Sequence, residues 1–209
     1  MKNFNINKNS TQSGRSMIEM LGVLAIVGVL SVGGIAGYSK AMTKFKINKT
    51  ADQISQIVTN IRTLYAQQTT YNGLSTSTAI QMRVTPDELG TGTTLTHAFA
   101  GNIGIFTEQK FHGGDWNEAF AVMVSDLPKE ACVSLATMDW GTSSSSGLIG
   151  MIVGNASTPV PVYADKCTDP GWGVAHCSKN GPMNVATAAS ACKCDNDDDC
   201  GISITWKFY

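Results

Sequence analysis

The chain has 209 residues and a formal net charge of -1, with 15 Lys and Arg against 16 Asp and Glu. Its hydrophobic content of 43% excludes wholesale disorder, and its charged content of 15% is low for a soluble globular protein. Residues 50–209 carry eight basic and fifteen acidic side chains, which argues against general nucleic-acid binding because that needs clustered Lys and Arg.

A long uncharged segment dominates the N-terminal part of the chain. Residues 1–14 are polar, and residues 20–38 form a run of 19 residues without any charge. A helix of that length spans about 28 Å, close to the roughly 30 Å thickness of a bilayer core. A cleaved secretion signal is the alternative, because the small residues within 33–37 could supply a cut site, although such signals usually have a shorter apolar region.

One acidic side chain, Glu19, stands at the start of this apolar run. A charged side chain in the membrane costs about 2.5–3.5 kcal/mol, so we expect a partner that compensates it. Gly14 lies five residues before Glu19. Cleavage after Gly14 would make Arg15 the new N-terminus, and its α-amine would then be available to pair with the carboxylate.

This arrangement resembles the N-terminus of a type IV prepilin, with a short basic leader that ends in Gly, a Glu five residues after the cut, and an apolar helix. The resemblance covers about residues 10–70. It implies cleavage after Gly14 by a prepilin peptidase and N-methylation of Arg15, although the family prefers Phe or Met at that position. It also implies that Glu19 neutralises the N-terminal amine of a neighbouring subunit and sets the axial register during assembly.

The helix is predicted to continue well beyond the apolar run. No Pro occurs before residue 86, so the sequence contains no strong helix breaker in this region. Apolar residues recur at helical spacing and predict one buried face. We therefore expect a single helix from about Ser16 to about Gln68. The predicted face consists of Ile54, Ile57, Val58, Ile61, Leu64 and Tyr65.

Beyond Gly73 the chain becomes a series of short elements. Loops rich in Ser, Thr and Gly are predicted at residues 75–78, 90–94 and 142–147, a capped turn at 85–88, strands at 102–106, 119–124, 148–153 and 201–209, a helix from Asp126 to about Gly141, and a short helix at 185–192. The last strand alternates apolar and polar residues. It is therefore expected to be half-buried, with Ser203, Thr205 and Lys207 on the other face.

These elements predict an α+β fold. A long N-terminal helix has an apolar, protruding first half, and its second half packs on an antiparallel β-sheet head with disulfides. The predicted domains are a leader peptide at 1–14, a transmembrane and filament-core helix at 15–39, the head-embedded half of the helix at 40–72, and a globular head at 73–209 with a Cys-rich C-terminal region.

All six cysteines lie in the predicted head. An even number in an exported domain favours disulfides, with fifteen possible pairings. Zinc is the rival, but the sequence has no C-x-x-C pair. Short loops favour Cys167 with Cys177 and Cys194 with Cys200, which leaves Cys132 with Cys192. Pilins commonly tie down such a C-terminal region with a disulfide, and residues 125–136 resemble the class b type of pilin.

A calcium loop is a second metal site that the sequence brings into consideration. Asp195, Asp197 and Asp199 alternate as the first ligands of such a loop do. The Gly of the sixth position is replaced by Cys200, however, and no Glu follows at the twelfth. A solvated acidic loop is the simpler interpretation, although some secretion pseudopilins bind calcium in a C-terminal loop. No metal or cofactor is therefore predicted.

Catalytic motifs do not appear in the sequence. The histidines show no metalloprotease spacing, and neither a G-x-S-x-G motif nor a P-loop is present. The sequence therefore predicts a protein that is not an enzyme. The three histidines are His97, His112 and His176.

The resemblance and the apolar helix together indicate a structural subunit of a bacterial type IV pilus. The precursor is expected in the inner membrane as a single-pass protein with its head in the periplasm, and the processed subunit in an extracellular filament. Its expected partners are other copies of itself in a helical homopolymer, prepilin peptidase, the pilus assembly machinery and membrane lipid, with no specific nucleic acid. Alternatives are a minor pilin or type II secretion pseudopilin, and a membrane-anchored exported binding protein that does not polymerise.

Overall fold

The computed structural model describes residues 17–90, 92–111, 113–141, 147–154, 162, 177–179, 181–193 and 201–209. The helices are α1 (Met17–Tyr65), α2 (Thr76–Gln81), α3 (Lys129–Thr137) and α4 (Val185–Ala191), with a short 3-10 helix at Asp87–Leu89. The strands are β1 (Leu95–Thr96), β2 (Asn102–Glu108), β3 (Ala119–Leu127), β4 (Leu148–Gly154), β5 (Cys177–Lys179) and β6 (Ile202–Phe208).

The chain divides into two compact units, Met1–Met42 and Thr43–Tyr209. In the first unit, all described residues belong to α1, and residues 17–41 are exposed. This agrees with the predicted long N-terminal helix, which was expected to begin near residue 16 and begins at residue 17 in the described part of the chain.

The second unit contains a six-stranded sheet in the order β1-β2-β3-β6-β4-β5. Every neighbouring pair is antiparallel. The last strand of the chain, β6, inserts between β3 and β4, so it has a partner on each side. The predicted α+β fold with an antiparallel sheet is confirmed.

The second half of α1 packs against one face of this sheet. Ile54, Ile57 and Ile61 are fully buried and belong to the same core as Val122 and Trp206 of the central strands. These residues recur every three or four positions, so they form one face of the helix. Burial of each large aliphatic side chain contributes about 1.5–3 kcal/mol.

The prediction that Leu64 belongs to this buried face is wrong. Its side chain is 44% exposed, whereas Tyr65 beside it is buried. At 3.6 residues per turn, Leu64 lies about 80° around the helix from Ile54, at the edge of the apolar stripe. The periodic pattern therefore identifies the centre of the face correctly but not its border.

Two helix boundaries also differ from the predictions. Residues 75–78 were predicted as a loop but form the N-cap and the first turn of α2. The Ser75 side chain accepts a hydrogen bond from the Thr78 main-chain nitrogen, and the Thr78 hydroxyl accepts one from the Ser75 main-chain nitrogen. Asp126, predicted to open a helix, lies near the end of β3 with a positive φ of 57°. The helix begins three residues later, after Pro128.

The final strand is buried on both faces, which corrects the prediction of a half-buried strand. Trp206 and Phe208 belong to the core on the α1 side of the sheet. Thr205 and Lys207, which alternate with them and point to the opposite face, are 2% and 0% exposed. A central position in the sheet, with cover on the opposite face, explains why polar residues are buried here.

Candidate functional site

The predicted assembly segment begins at the start of α1. Glu19 lies in the first turn of this helix and is exposed. The first turn of a helix carries main-chain N–H groups without intrahelical acceptors and a partial positive charge, so an acid is favourable there. The predicted cleavage and methylation positions, Gly14 and Arg15, lie outside the described residues.

The apolar run that follows Glu19 presents hydrophobic side chains around the whole helix. Exposed fractions range from 46% at Met20 to 75% at Val29. Within the described chain, α1 is the one helix long and apolar enough to cross a membrane. An isolated helix that is apolar all round requires lipid or other helices as its environment.

Polar contacts tie the second half of α1 to the segment before β1. Lys49 forms an ion pair with Glu88 at 2.9 Å, and the Gln53 amide donates a hydrogen bond to the same carboxylate. The hydrogen bond from Gln53 and the ion pair with Lys49 lower the pKa of Glu88. Further along the helix, Asn60 donates to the main-chain oxygen of Val84 at 2.8 Å. These contacts fix the helix within the head.

A buried ion pair lies on the sheet face opposite α1. Lys207 Nζ is 3.4 Å from Glu108 Oε2, and the two side chains are 0% and 2% exposed. Burial raises the pKa of the Glu108 carboxyl, and the ammonium of Lys207 opposes that shift. The sequence analysis missed this pair. The only signals were an acid two residues beyond one predicted strand and a Lys in another, and neither indicated that the two would meet.

His97 is buried but has no catalytic arrangement. Its Nδ1 accepts a hydrogen bond from the Phe99 main-chain nitrogen at 3.2 Å, so Nε2 carries the proton and donates to the Ser125 carbonyl at 2.8 Å. Burial lowers the pKa of His97, although the hydrogen bond to Ser125 and the nearby Asp126 oppose the shift. Both ring nitrogens are used to hold the β1–β2 turn against the end of β3. His112 and His176 lie outside the described residues.

One predicted disulfide pairing lies wholly within the described residues and is confirmed. Cys132 of α3 and Cys192, the residue that directly follows α4, form a disulfide with their Cα atoms 5.9 Å apart. This is the pairing reached by elimination. Cys177 is also disulfide-bonded. Cys167, Cys194 and Cys200 lie outside the described residues.

No group of three or more His, Cys, Asp or Glu in the described part of the chain has the arrangement of a metal site. The calcium candidate, Asp195 with Asp197 and Asp199, lies outside those residues, so it stays an untested alternative.

A helix with an apolar first part and a head-embedded second part, joined to an antiparallel sheet, defines the pilin class of structural subunits. The family model described as PilS N terminal matches residues 44–207, which is more than half of the chain. The chain therefore belongs to the PilS family, and its assignment to the type IV pilins is confirmed.

Two curated relatives have the same description and nearly the same extent. The major structural subunit of bundle-forming pilus from Escherichia coli O111:H- is 27% identical over 186 residues, which is 87% of this chain and 88% of the relative. The protein of that name from Escherichia coli O127:H6 (strain E2348/69 / EPEC) has the same identity and coverage.

Two solved structures of pilins align with most of this chain. The type IV b pilin from Salmonella typhi aligns with a TM-score of 0.46 and 18% identity over 78% of this chain and 97% of its own. TcpA, a type IV pilin from Vibrio cholerae El Tor biotype, aligns with a TM-score of 0.47 and 15% identity over 78% of this chain and 99% of its own.

Proposed function

We propose that this pilin is the repeating subunit of an extracellular type IV pilus and that Glu19 directs its polymerisation. The precursor inserts in the inner membrane through residues 20–38, with its head in the periplasm. Prepilin peptidase cleaves it after Gly14, and the new N-terminus at Arg15 is methylated. The assembly machinery then transfers the subunit from lipid to the growing filament, where α1 packs against the helices of neighbouring copies.

The observation that carries this proposal is the position of Glu19. The carboxylate stands in the first turn of α1, at the beginning of 19 residues without charge. Among the described residues it has no ion-pair partner. A positively charged amine from an adjacent processed subunit would neutralise it in an apolar environment. One acid for each helix would also give each subunit a single preferred axial position.

The relatives favour a repeating subunit over the alternatives. Both curated relatives are described as major structural subunits of a pilus, and their match extends over most of this chain. A minor pilin or a secretion pseudopilin would share the helix and the processing but would contribute few subunits to a filament. A membrane-anchored binding protein would keep the head in the periplasm and would form no filament.

The decisive experiment compares Glu19→Ala with wild-type protein in a host strain that lacks its own copy. We expect normal membrane levels and normal N-terminal processing, because the substitution removes a charge from the membrane-inserted segment. Filaments counted by electron microscopy should fall at least tenfold, since the incoming amine would be buried without a countercharge. Peptide identification from sheared wild-type filaments should find this chain as the main component.

Asp52→Ala is the matched control, because Asp52 is an exposed acid on the same helix outside the apolar run. Its filament count should equal that of the wild type. A normal number of filaments from Glu19→Ala would exclude Glu19 as the register device. An absence of this chain from wild-type filaments would instead favour the minor-subunit or non-polymerising alternatives.

A further inference from the structure

The side chains of Glu108 in β2 and Lys207 in β6 meet over β3, the strand that lies between β2 and β6. Glu108 ends β2 and is paired with Ala119 of β3, whereas Lys207 of β6 is paired with Ala121 of the same strand. Both alanines are fully buried. Paired residues of adjacent strands point to the same face, so the two methyl groups lie beneath the ion pair. Small side chains at these positions leave the room that the carboxylate and the ammonium need to meet over β3.

The pair also holds the main chain of a third segment. Lys207 Nζ donates to the Val162 carbonyl oxygen at 2.8 Å, and the Val162 main-chain nitrogen donates to Glu108 Oε1 at 3.3 Å. The Val162 side chain is fully buried and clusters with Ala119, Ile149 and Ile152. Among the described residues, Val162 belongs to no strand and its main-chain groups have no partner in the sheet, so the two charged side chains take that place.

We propose that Glu108 and Lys207 form an anchor that selects Val162 as a point where the chain between β4 and β5 attaches to the sheet. We assign the ion pair a role in selecting the attachment point and not in stabilising the fold, because a buried ion pair contributes little net stability after its desolvation cost. The local sequence supports this, since Val162 follows Pro161 and Pro159 is nearby. A slip by one residue would place Pro161, which has no N–H, opposite the Glu108 carboxylate.

The test separates attachment from stability in purified full-length protein in detergent. The double variant Glu108→Leu/Lys207→Met removes both charges and keeps apolar side chains of similar length. We expect its thermal midpoint to stay within a few degrees of the wild type. Amide hydrogen exchange at Val162 should become at least tenfold faster, while that of Val122 in β3 stays unchanged. Lys207→Met alone leaves a buried carboxylate without its cation and should be less stable than the double variant.

The matched control is Lys49→Met/Glu88→Leu, which removes the partly exposed ion pair on α1 and should leave exchange at Val162 as in the wild type. If Val162 stays as protected in the Glu108→Leu/Lys207→Met variant as in the wild type, the ion pair does not select the attachment point. If that variant instead loses its cooperative transition, or exchange quickens equally at Val162 and Val122, the pair is an ordinary element of stability. Either result would overturn the proposal.

Discussion

Arg62 in the last turn of α1 donates a hydrogen bond from Nη2 to the main-chain oxygen of Tyr209 at 3.1 Å. Its guanidinium also lies over the ring of Phe208, 5.5 Å from the centroid. Burial lowers the pKa of Arg62. The contact joins residues 147 positions apart in sequence, so the end of the head-embedded helix is tied directly to the end of the central strand β6.

Gly147 borders this contact, and we predict that Gly147→Ala destabilises the head by about 2–4 kcal/mol. The residue has a φ of 61°, and an added Cβ would overlap the Arg62 guanidinium and lie 2.6 Å from the Tyr209 main-chain oxygen. Denaturant unfolding of the purified protein in detergent measures the loss. Gly73→Ala is the control, because Gly73 has a φ of 80° but open space around it, so only the backbone cost of about 1–2 kcal/mol applies. Equal losses in the two variants would argue against the clash.

We predict that His97 makes the head less stable below about pH 6.5, the ordinary pKa of His. Burial lowers the pKa of His97 in the folded state, so the unfolded chain binds more protons than the folded chain as the pH falls. The stability contributed by neutral His97 is present above about pH 6.5 and is lost as the pH falls through the lower folded pKa.

His97→Gln should remove this part of the pH dependence while the contribution of the carboxylates stays. The measurement is the free energy of unfolding of the wild type and of the variant between pH 7.5 and 5.5, a range centred on the ordinary His pKa of about 6.5. One proton accounts for at most about 1.4 kcal/mol per pH unit of difference in slope. Parallel curves for the two proteins would contradict the assignment.

The disulfide between Cys132 and Cys192 should be a main source of head stability. It closes a loop with a sequence separation of 60 and links α3 to α4. Cys132→Ala/Cys192→Ala is expected to lower the free energy of unfolding by about 2–4 kcal/mol. Denaturant unfolding under non-reducing conditions gives the value. Peptide mapping of the unreduced wild-type protein should recover Cys132 cross-linked to Cys192 and no free thiol at Cys177. Recovery of Cys132 or Cys192 as a free thiol would contradict this pairing.

Processing after Gly14 is the prediction for the N-terminal segment. The mature protein should begin at Arg15, because Gly14 stands five residues before Glu19 as in a prepilin. Gly14→Val should block cleavage and leave a membrane protein that is 14 residues longer, which N-terminal sequencing and mass spectrometry detect. Ser10→Val is the control within the same polar segment and should be cleaved normally. A mature start near Tyr38 would indicate a secretion signal and would end the pilus assembly proposal.

Local patterns in the sequence were sufficient to locate the elements whose apolar residues recur with a helical or strand period. The helix expected from about residue 16 to 68 is α1, Met17–Tyr65, because Ile54, Ile57 and Ile61 repeat with the helical period. The final strand was located by its alternation, which has the period of a β-strand. The pairing of Cys132 with Cys192 was reached by elimination, after short loops had favoured the two other pairings. Glu19 and Gly14 were found by their spacing alone, and their roles stay predictions.

The burial and the contacts of polar side chains depended on distant segments, so only the tertiary structure decided them. Lys207 was assigned to the strand face opposite the core, and nothing nearby in sequence indicates that Glu108 and Val162, 99 and 45 positions away, would bury it. His97 likewise acquires its buried role from Ser125, 28 positions away. Periodicity reports which side of an element is apolar. Whether the polar side meets water depends on what the fold places against it, and that is a long-range property which no local pattern contains.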